Sequence, residues 1–225
     1  MYIFVRFLRS LGMVAGLLLS SGFVMTPAMA ALITYNFTGD VTGVRSQLSS
    51  QFNTSQTLSG SVTLNTQPDT NPNANNGSYS IQGFQIMIGG YTAQMGTSTS
   101  GVVDIRNGSG GGAGADRFNV TVNSPDGNNV NFLGPRLFDI QLRGPSNIFT
   151  SDALPSSVPS VSSFTNRNEF RLVFGPEGAG RAVTGFLTSL TAVPLPAAVI
   201  LFGAGLVALI GLGAGGLRNL RAPQA

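Results

Sequence analysis

The chain has 225 residues, which is enough for one ordinary domain together with targeting segments at its ends. Charged residues make up 9% of it, against roughly 25% in a typical soluble domain, and this shortage indicates a body rich in uncharged polar residues. Cysteine and histidine are absent, which excludes disulfides and thiolate metal sites and removes the usual general base.

The basic balance of the whole chain does not describe its central part. Four of the 12 arginines lie near the ends, at Arg6, Arg9, Arg218 and Arg221. The part between the apolar ends has 8 Arg against 9 Asp and Glu, a net charge of −1. We therefore predict no basic patch for nucleic acid and no nucleic-acid partner.

The first 30 residues have the three parts of a signal peptide. Arg6 and Arg9 precede a short apolar run over residues 11–19, and Ala28-Met29-Ala30 forms a small-x-small cleavage site. A first transmembrane helix is the alternative, but the apolar run is short for a membrane span. The pattern predicts a mature chain that starts at Ala31, with the Sec translocon and signal peptidase as partners.

The body, residues 31–192, alternates apolar and polar residues with the period of half-buried strands. It has no 3.6-residue stripe, and Gly, Asn, Pro and Ser mark the turns between segments. Many short strands without a helix predict one all-β domain, an antiparallel β-sandwich of the jelly-roll or Ig-like kind. The alternating segments start at Ile33, Leu58, Phe84, Phe118, Phe138 and Phe170, with a final strand over residues 182–191.

Metal and phosphate motifs are weak in the body. Asp69, Asn71, Asn73 and Asn75 stand at alternate positions, as oxygen ligands do in calcium loops. A single charge and the lack of a closing glutamate favour a plain hairpin loop instead. The glycine-rich run over residues 108–114 lacks the Lys and Ser/Thr of a phosphate-binding loop. We predict no catalytic residue, no metal and no cofactor.

Charged side chains of the body are predicted to be surface groups. Asp116 beside Arg117, and Asp139 near Arg143, are interpreted as exposed charges, possible ion pairs of little energetic value. A glycosidase would need two carboxylates that converge across a cleft. The only glutamates, Glu169 and Glu177, stand at exposed strand or turn positions, so we do not expect an enzyme.

The C-terminus combines an extended segment, an apolar run and basic residues. Val193-Pro194-Leu195-Pro196-Ala197 is kept extended by its two prolines. Residues 197–217 carry no charge, hydroxyl or amide, and as a helix they would span about 30 Å of hydrocarbon. Arg218 and Arg221 follow, and positive residues stay on the cytoplasmic side, which places the body outside. A buried core helix is the alternative, and the position near the chain end argues against it.

The order of proline motif, apolar helix and basic tail over residues 193–225 resembles the PEP-CTERM sorting signal in its VPLPA variant. The resemblance implies recognition by an exosortase, a membrane-embedded cysteine transpeptidase of bacteria that make exopolysaccharide. The tail, Arg218-Asn219-Leu220-Arg221, departs from the tighter Arg/Lys cluster of the family. Residues 79–93, and 151–155 followed by 170–174, resemble segments of ectodomains that carry this signal and have no established common activity.

Together these patterns predict an exported bacterial protein of the cell surface or extracellular matrix. Its C-terminal helix would hold it in membrane lipid until an exosortase processes it. The body is expected to be structural or adhesive in exopolysaccharide or biofilm. The alternative is a carbohydrate-binding module that retains exopolysaccharide, for which Tyr35, Tyr79 and Tyr91 are the only tyrosines of the body and Trp is absent.

Overall fold

The computed structural model of the protein describes residues 32–68, 70–73, 75–108, 115–176 and 180–194. This part of the chain is all-β, as predicted, with two short 3₁₀ helices at Ser46–Leu48 and Val161–Ser163 and no α-helix. The strands are β1 (Leu32–Val44), β2 (Thr57–Asn65), β3 (Thr70–Asn73), β4 (Asn76–Ile88), β5 (Tyr91–Gln94), β6 (Ser100–Arg106), β7 (Asp116–Asn123), β8 (Asp126–Gly127), β9 (Pro135–Gly144), β10 (Arg167–Phe174) and β11 (Arg181–Pro194).

Eight of these strands close into an antiparallel barrel. Their order around it is β2-β1-β11-β10-β9-β7-β6-β4, and β2 pairs with β4 to complete the ring. The first and last strands are neighbours, with Phe37 opposite Leu190, and the ring closes where Leu58 lies opposite Ile88. The predicted β-sandwich is therefore wrong. Two packed sheets would leave edge strands, whereas each of these eight strands has a neighbour on both sides.

Strand β4 changes neighbours along its length, and this change allows the ring to close. Its residues 76–80 pair with β6, and its residues 81–88 pair with β2. The inward phase shifts between Ile81 and Phe84, both buried, at a bulge opposite Thr63 and Leu64. Bulges bend a strand and increase its twist, which a small barrel needs at its corners. The short strands β3, β5 and β8 extend the sheet beside β4.

Phenylalanine rings fill the inside of the barrel. The ring of Phe138 stacks on Phe37, with centroids 5.9 Å apart, and contacts Phe84 at 5.4 Å. An eight-stranded barrel is just wide enough to be filled by side chains or to hold one small ligand. Here buried apolar side chains fill it as one continuous core. Gly60 lies opposite Phe37, and a Cβ there would come within 2.6 Å of that ring. The glycine in the alternating run of β2 therefore leaves room for a large side chain.

A buried carboxylate fastens two loops at one end of the barrel. Asp116, the first residue of β7, is fully buried and accepts hydrogen bonds from the backbone N–H groups of Gly108, Ile148 and Phe149. The last two bonds measure 2.8 and 2.7 Å. The expectation of a surface charge is wrong for Asp116. The inward-facing positions of β7 start at Asp116 itself, two residues before the first apolar one, Phe118.

Several predicted segments lie outside the described residues. They are the signal peptide with Ala28, Ala30 and Ala31, and the apolar run over residues 197–217 with Arg218 and Arg221. Within the part that the structure describes, no helix has the length and apolar character that crossing a membrane requires.

Candidate functional site

The inside of the barrel offers no binding site in the described part of the chain. Its side chains belong to one continuous apolar core, and Phe118, Phe138 and Phe170 are wholly buried in it. The described residues also contain no group of three or more Asp, Glu, His or Cys that could hold a metal ion. A site carried by these residues therefore has to lie on the outer face of the barrel or in its loops.

All three tyrosines of the body are core residues. Tyr35, Tyr79 and Tyr91 are at most 3% exposed, with their rings inside the barrel. Their hydroxyls reach the ends of the barrel and donate to backbone carbonyls of Pro155, Asp152 and Asn128, respectively, at 2.9–3.1 Å. They therefore tie loops to the core and cannot be an aromatic platform for sugar.

The buried tyrosines predict loss of stability in alkali. Burial raises the pKa of Tyr35, Tyr79 and Tyr91, with smaller contributions from Tyr79, Asp152 and Asp126 respectively. The unfolded chain releases these protons near the ordinary tyrosine pKa of about 10. The stability that the protonated tyrosines contribute is therefore fully present below about pH 10 and is lost as the pH rises above it.

Tyrosinate absorbance and circular dichroism, followed together during an alkaline titration of residues 31–194, would measure this. We expect the tyrosines to ionise only as the strands unfold, in one step. Tyr79→Phe should lower stability at neutral pH, since the bond to Asp152 is lost, and make the further fall in alkali less steep, because one ionisable group is lost. Titration of all three near pH 10 without loss of strand signal would contradict the burial.

An open groove of about 620 Å³ lies on the outer face where β1, β9, β10 and β11 meet. Three arginines line it: Arg45 just after β1, Arg136 in β9 and Arg171 in β10. These three arginines are far apart in the sequence and come together because β1, β11, β10 and β9 are successive neighbours in the sheet. The remaining lining is small or apolar and consists of Gly43, Val44, Leu137, Val173, Gly180, Ala182 and Thr184.

Arg171 is neutralised within the groove wall. It lies opposite Asp139, with Nη2 2.6 Å from Oδ2 and Nε 3.1 Å from both carboxylate oxygens. Hydrogen bonding to Asp139 raises the pKa of Arg171, against a smaller opposing effect of burial. The prediction that Asp139 is a surface charge near Arg143 is wrong on both points. Its side chain is buried, and residues 139 and 143 stand about 13 Å apart along one extended strand. The residue on the neighbouring strand is much closer.

The other two arginines of the groove are not neutralised by described residues. Arg45 is exposed and forms no salt bridge within that part of the chain. Arg136 has a buried Nε atom that finds no hydrogen-bond acceptor there. A guanidinium fork matches a carboxylate or phosphate group, so the groove has the chemistry to hold an anion.

The predicted processing motif begins inside the barrel wall. Val193 lies opposite Thr34, and Pro194 opposite Ile33, so both belong to the end of β11. Val193 is 47% exposed. The remaining motif residues, Leu195, Pro196 and Ala197, lie outside the described residues. Because β1 starts at Leu32, the ends of the first and last strands lie side by side at one end of the barrel.

Of the two glutamates considered for glycosidase chemistry, the structure describes one. Glu169 lies on the outer face of β10 and forms a salt bridge with Arg167 on the same strand. Glu177 lies outside the described residues. The structure thus provides a charge partner for Glu169 on its own strand.

No protein-family model matches this chain, and searches of the curated proteins and of the solved structures find no significant similarity.

The groove arginines were missed by sequence reasoning. Arg136 and Arg171 stand at polar positions of alternating segments, which indicates an outer face but not which strands are neighbours. The net charge of the body is close to zero, and it therefore does not reveal that positive charges cluster on one part of the surface. A count of arginines at outward strand positions would have indicated a positive outer face.

Proposed function

We propose that this is an exported bacterial surface or matrix protein, sorted through residues 193–225 by an exosortase. The barrel is then a structural or adhesive body in exopolysaccharide or biofilm. The observation that carries the proposal is the ordered sequence of proline motif, uncharged 21-residue run and basic tail. No catalytic role is assigned to the body.

The position of the motif supports processing at the barrel end. Strand β11 includes Val193 and Pro194, so the motif starts within the folded wall and no flexible linker separates the two. Pro194 has no N–H group, so the last pair of the β1–β11 ladder is weakened there. The chain is thus already extended where a membrane enzyme would have to bind it, and only a short length needs to leave the wall.

Replacing Pro194, Leu195 and Pro196 together by serine tests the sorting. In a host with an exosortase, the wild-type surface form is expected to lack at least Leu206–Ala225. The triple variant should remain at full length in the membrane, apart from the signal peptide, because the apolar run and its flanking arginines are unchanged. Intact mass spectrometry of the surface and membrane fractions measures both forms.

The matched control removes two prolines from another segment of the body, as Pro155→Ser with Pro159→Ser. This variant should be processed like the wild type. An identical mature mass for the triple variant and the wild type would show that the motif is not read. The chain would then be a single-span membrane protein with an outside domain.

The second candidate function is a carbohydrate-binding module. The tyrosines cannot carry it, since all three are buried. The groove beside Arg45 and Arg136 favours it, because unneutralised guanidinium groups on an outer face can bind acidic sugars. A glycan array that includes neutral and acidic polysaccharides would separate a binding body from a purely structural one.

A further inference from the structure

Four arginines form a continuous row across the outer face of four neighbouring strands. Arg106 of β6 lies opposite Arg117 of β7, which lies opposite Arg143 of β9, which lies opposite Arg167 of β10. All four occupy the outward phase of their strands and are partly exposed. At the usual strand spacing the row extends over about 15 Å. We call Arg106, Arg117, Arg143 and Arg167 the arginine row.

The charges of the arginine row are mostly uncompensated. Among the described residues only Arg167 forms a salt bridge, with Glu169. Like charges directly opposite on neighbouring strands are destabilising. Burial, and the positive charges of Arg143 and Arg106, lower the pKa of Arg117. The protein therefore keeps an unfavourable arrangement on this face that a bound anion would relieve.

Hydrogen-bonding groups in the middle of the row also lack partners. The Nε atoms of Arg117 and Arg143 are shielded from solvent and find no acceptor within the described part of the chain. The same holds for Oδ1 of Asn119, which finds no donor and lies on the same outward face two residues along β7. Two donors and one acceptor are thus adjacent and unsatisfied, which costs free energy unless a ligand provides both kinds of group.

We propose that the arginine row binds an acidic polysaccharide, with uronate carboxylates on Arg117 and Arg143 and a sugar hydroxyl donating to Asn119. The proposal rests on the proposed function for the exported location of the barrel. A uronate combines the carboxylate acceptors and hydroxyl donors that these side chains lack. The repeat of successive pyranose units along an extended glycan is also close to the spacing of neighbouring strands. Neighbouring sugars can therefore contact neighbouring arginines of the row.

Nucleic acid fits the same surface less well. The outward positions beside the row are Asp104, Asn119, Gln141 and Glu169, which lie opposite one another on the same four strands. Single-stranded nucleic acid is bound by stacking of bases on aromatic rings, and no aromatic residue stands in either row.

Titration of the full-length protein in non-ionic detergent with polygalacturonate tests the proposal. Arg117→Gln with Arg143→Gln should weaken binding at least about ten-fold, since two charge-assisted contacts are lost. Arg181→Gln removes one positive charge outside both the row and the groove and should change binding less than about two-fold. The row variant should unfold at or above the wild-type temperature, because like-charge repulsion is removed, so that misfolding cannot explain its loss.

Three results would overturn the proposal. The first is no binding of polygalacturonate by the wild type. The second is a loss per removed charge in Arg181→Gln equal to that in the row variant, which would indicate charge attraction without a site. The third is displacement by a single-stranded oligonucleotide at lower concentration than by polygalacturonate. Sorting is measured separately, by the mature mass in the host. Failure of one proposal can therefore be distinguished from failure of the other.

Discussion

Replacing Phe138 by alanine is expected to lower the free energy of unfolding by about 3–5 kcal/mol. The ring is wholly buried at the centre of the barrel, between Phe37 and Phe84. Removing it deletes a large apolar surface and leaves a cavity that a closed ring of strands cannot easily collapse to fill. Urea denaturation of residues 31–194, followed by tyrosine fluorescence because the chain has no tryptophan, would measure the loss.

Phe132 provides the matched control. Its side chain is 99% exposed at the tip of the turn between Val130 and Leu133, with φ at +67°. Phe132→Ala should change the free energy of unfolding by less than about 0.5 kcal/mol, since an exposed ring makes few contacts to lose. A cost at Phe132 equal to that at Phe138 would mean that the inward and outward faces have been assigned wrongly.

Replacing Asp116 by asparagine is expected to cost about 2–4 kcal/mol of stability. One carboxylate oxygen accepts from Gly108, and the other accepts from Ile148 and Phe149. Asparagine has a single acceptor oxygen, so its amide NH₂ must face at least one of these backbone N–H groups. A buried N–H is then left without an acceptor, and the charge that strengthened all three bonds is lost.

Asp126→Asn is the control for this substitution. Asp126 is exposed in the short strand β8 and should tolerate the change within about 0.5 kcal/mol. Hydrogen exchange provides a second readout, because the amides of Ile148 and Phe149 should lose protection in Asp116→Asn before the barrel strands do. Unchanged protection at both amides would contradict the fastening role of Asp116.

The local pattern of the sequence was sufficient for much of the strand assignment. Ile33, Tyr35 and Phe37 alternate with polar residues, and all three point into the core of the barrel. The predicted final strand over residues 182–191 lies within β11. Strand β6 was missed, although Val103 and Ile105 are wholly buried, because its alternation is short and ends beside the glycine-rich run.

By itself, the sequence determined that the body is all-β and which face of each main strand is apolar, because side-chain alternation is a property of neighbouring residues. The signal peptide and the sorting signal are also predicted from the sequence alone, and both stay predictions. Only the tertiary structure decided barrel over sandwich, since closure depends on pairs such as Phe37 with Leu190, far apart in sequence. The alignment of Arg106, Arg117, Arg143 and Arg167 has the same origin. A strand's own pattern names its outward residues, whereas the register between strands decides which of them become neighbours.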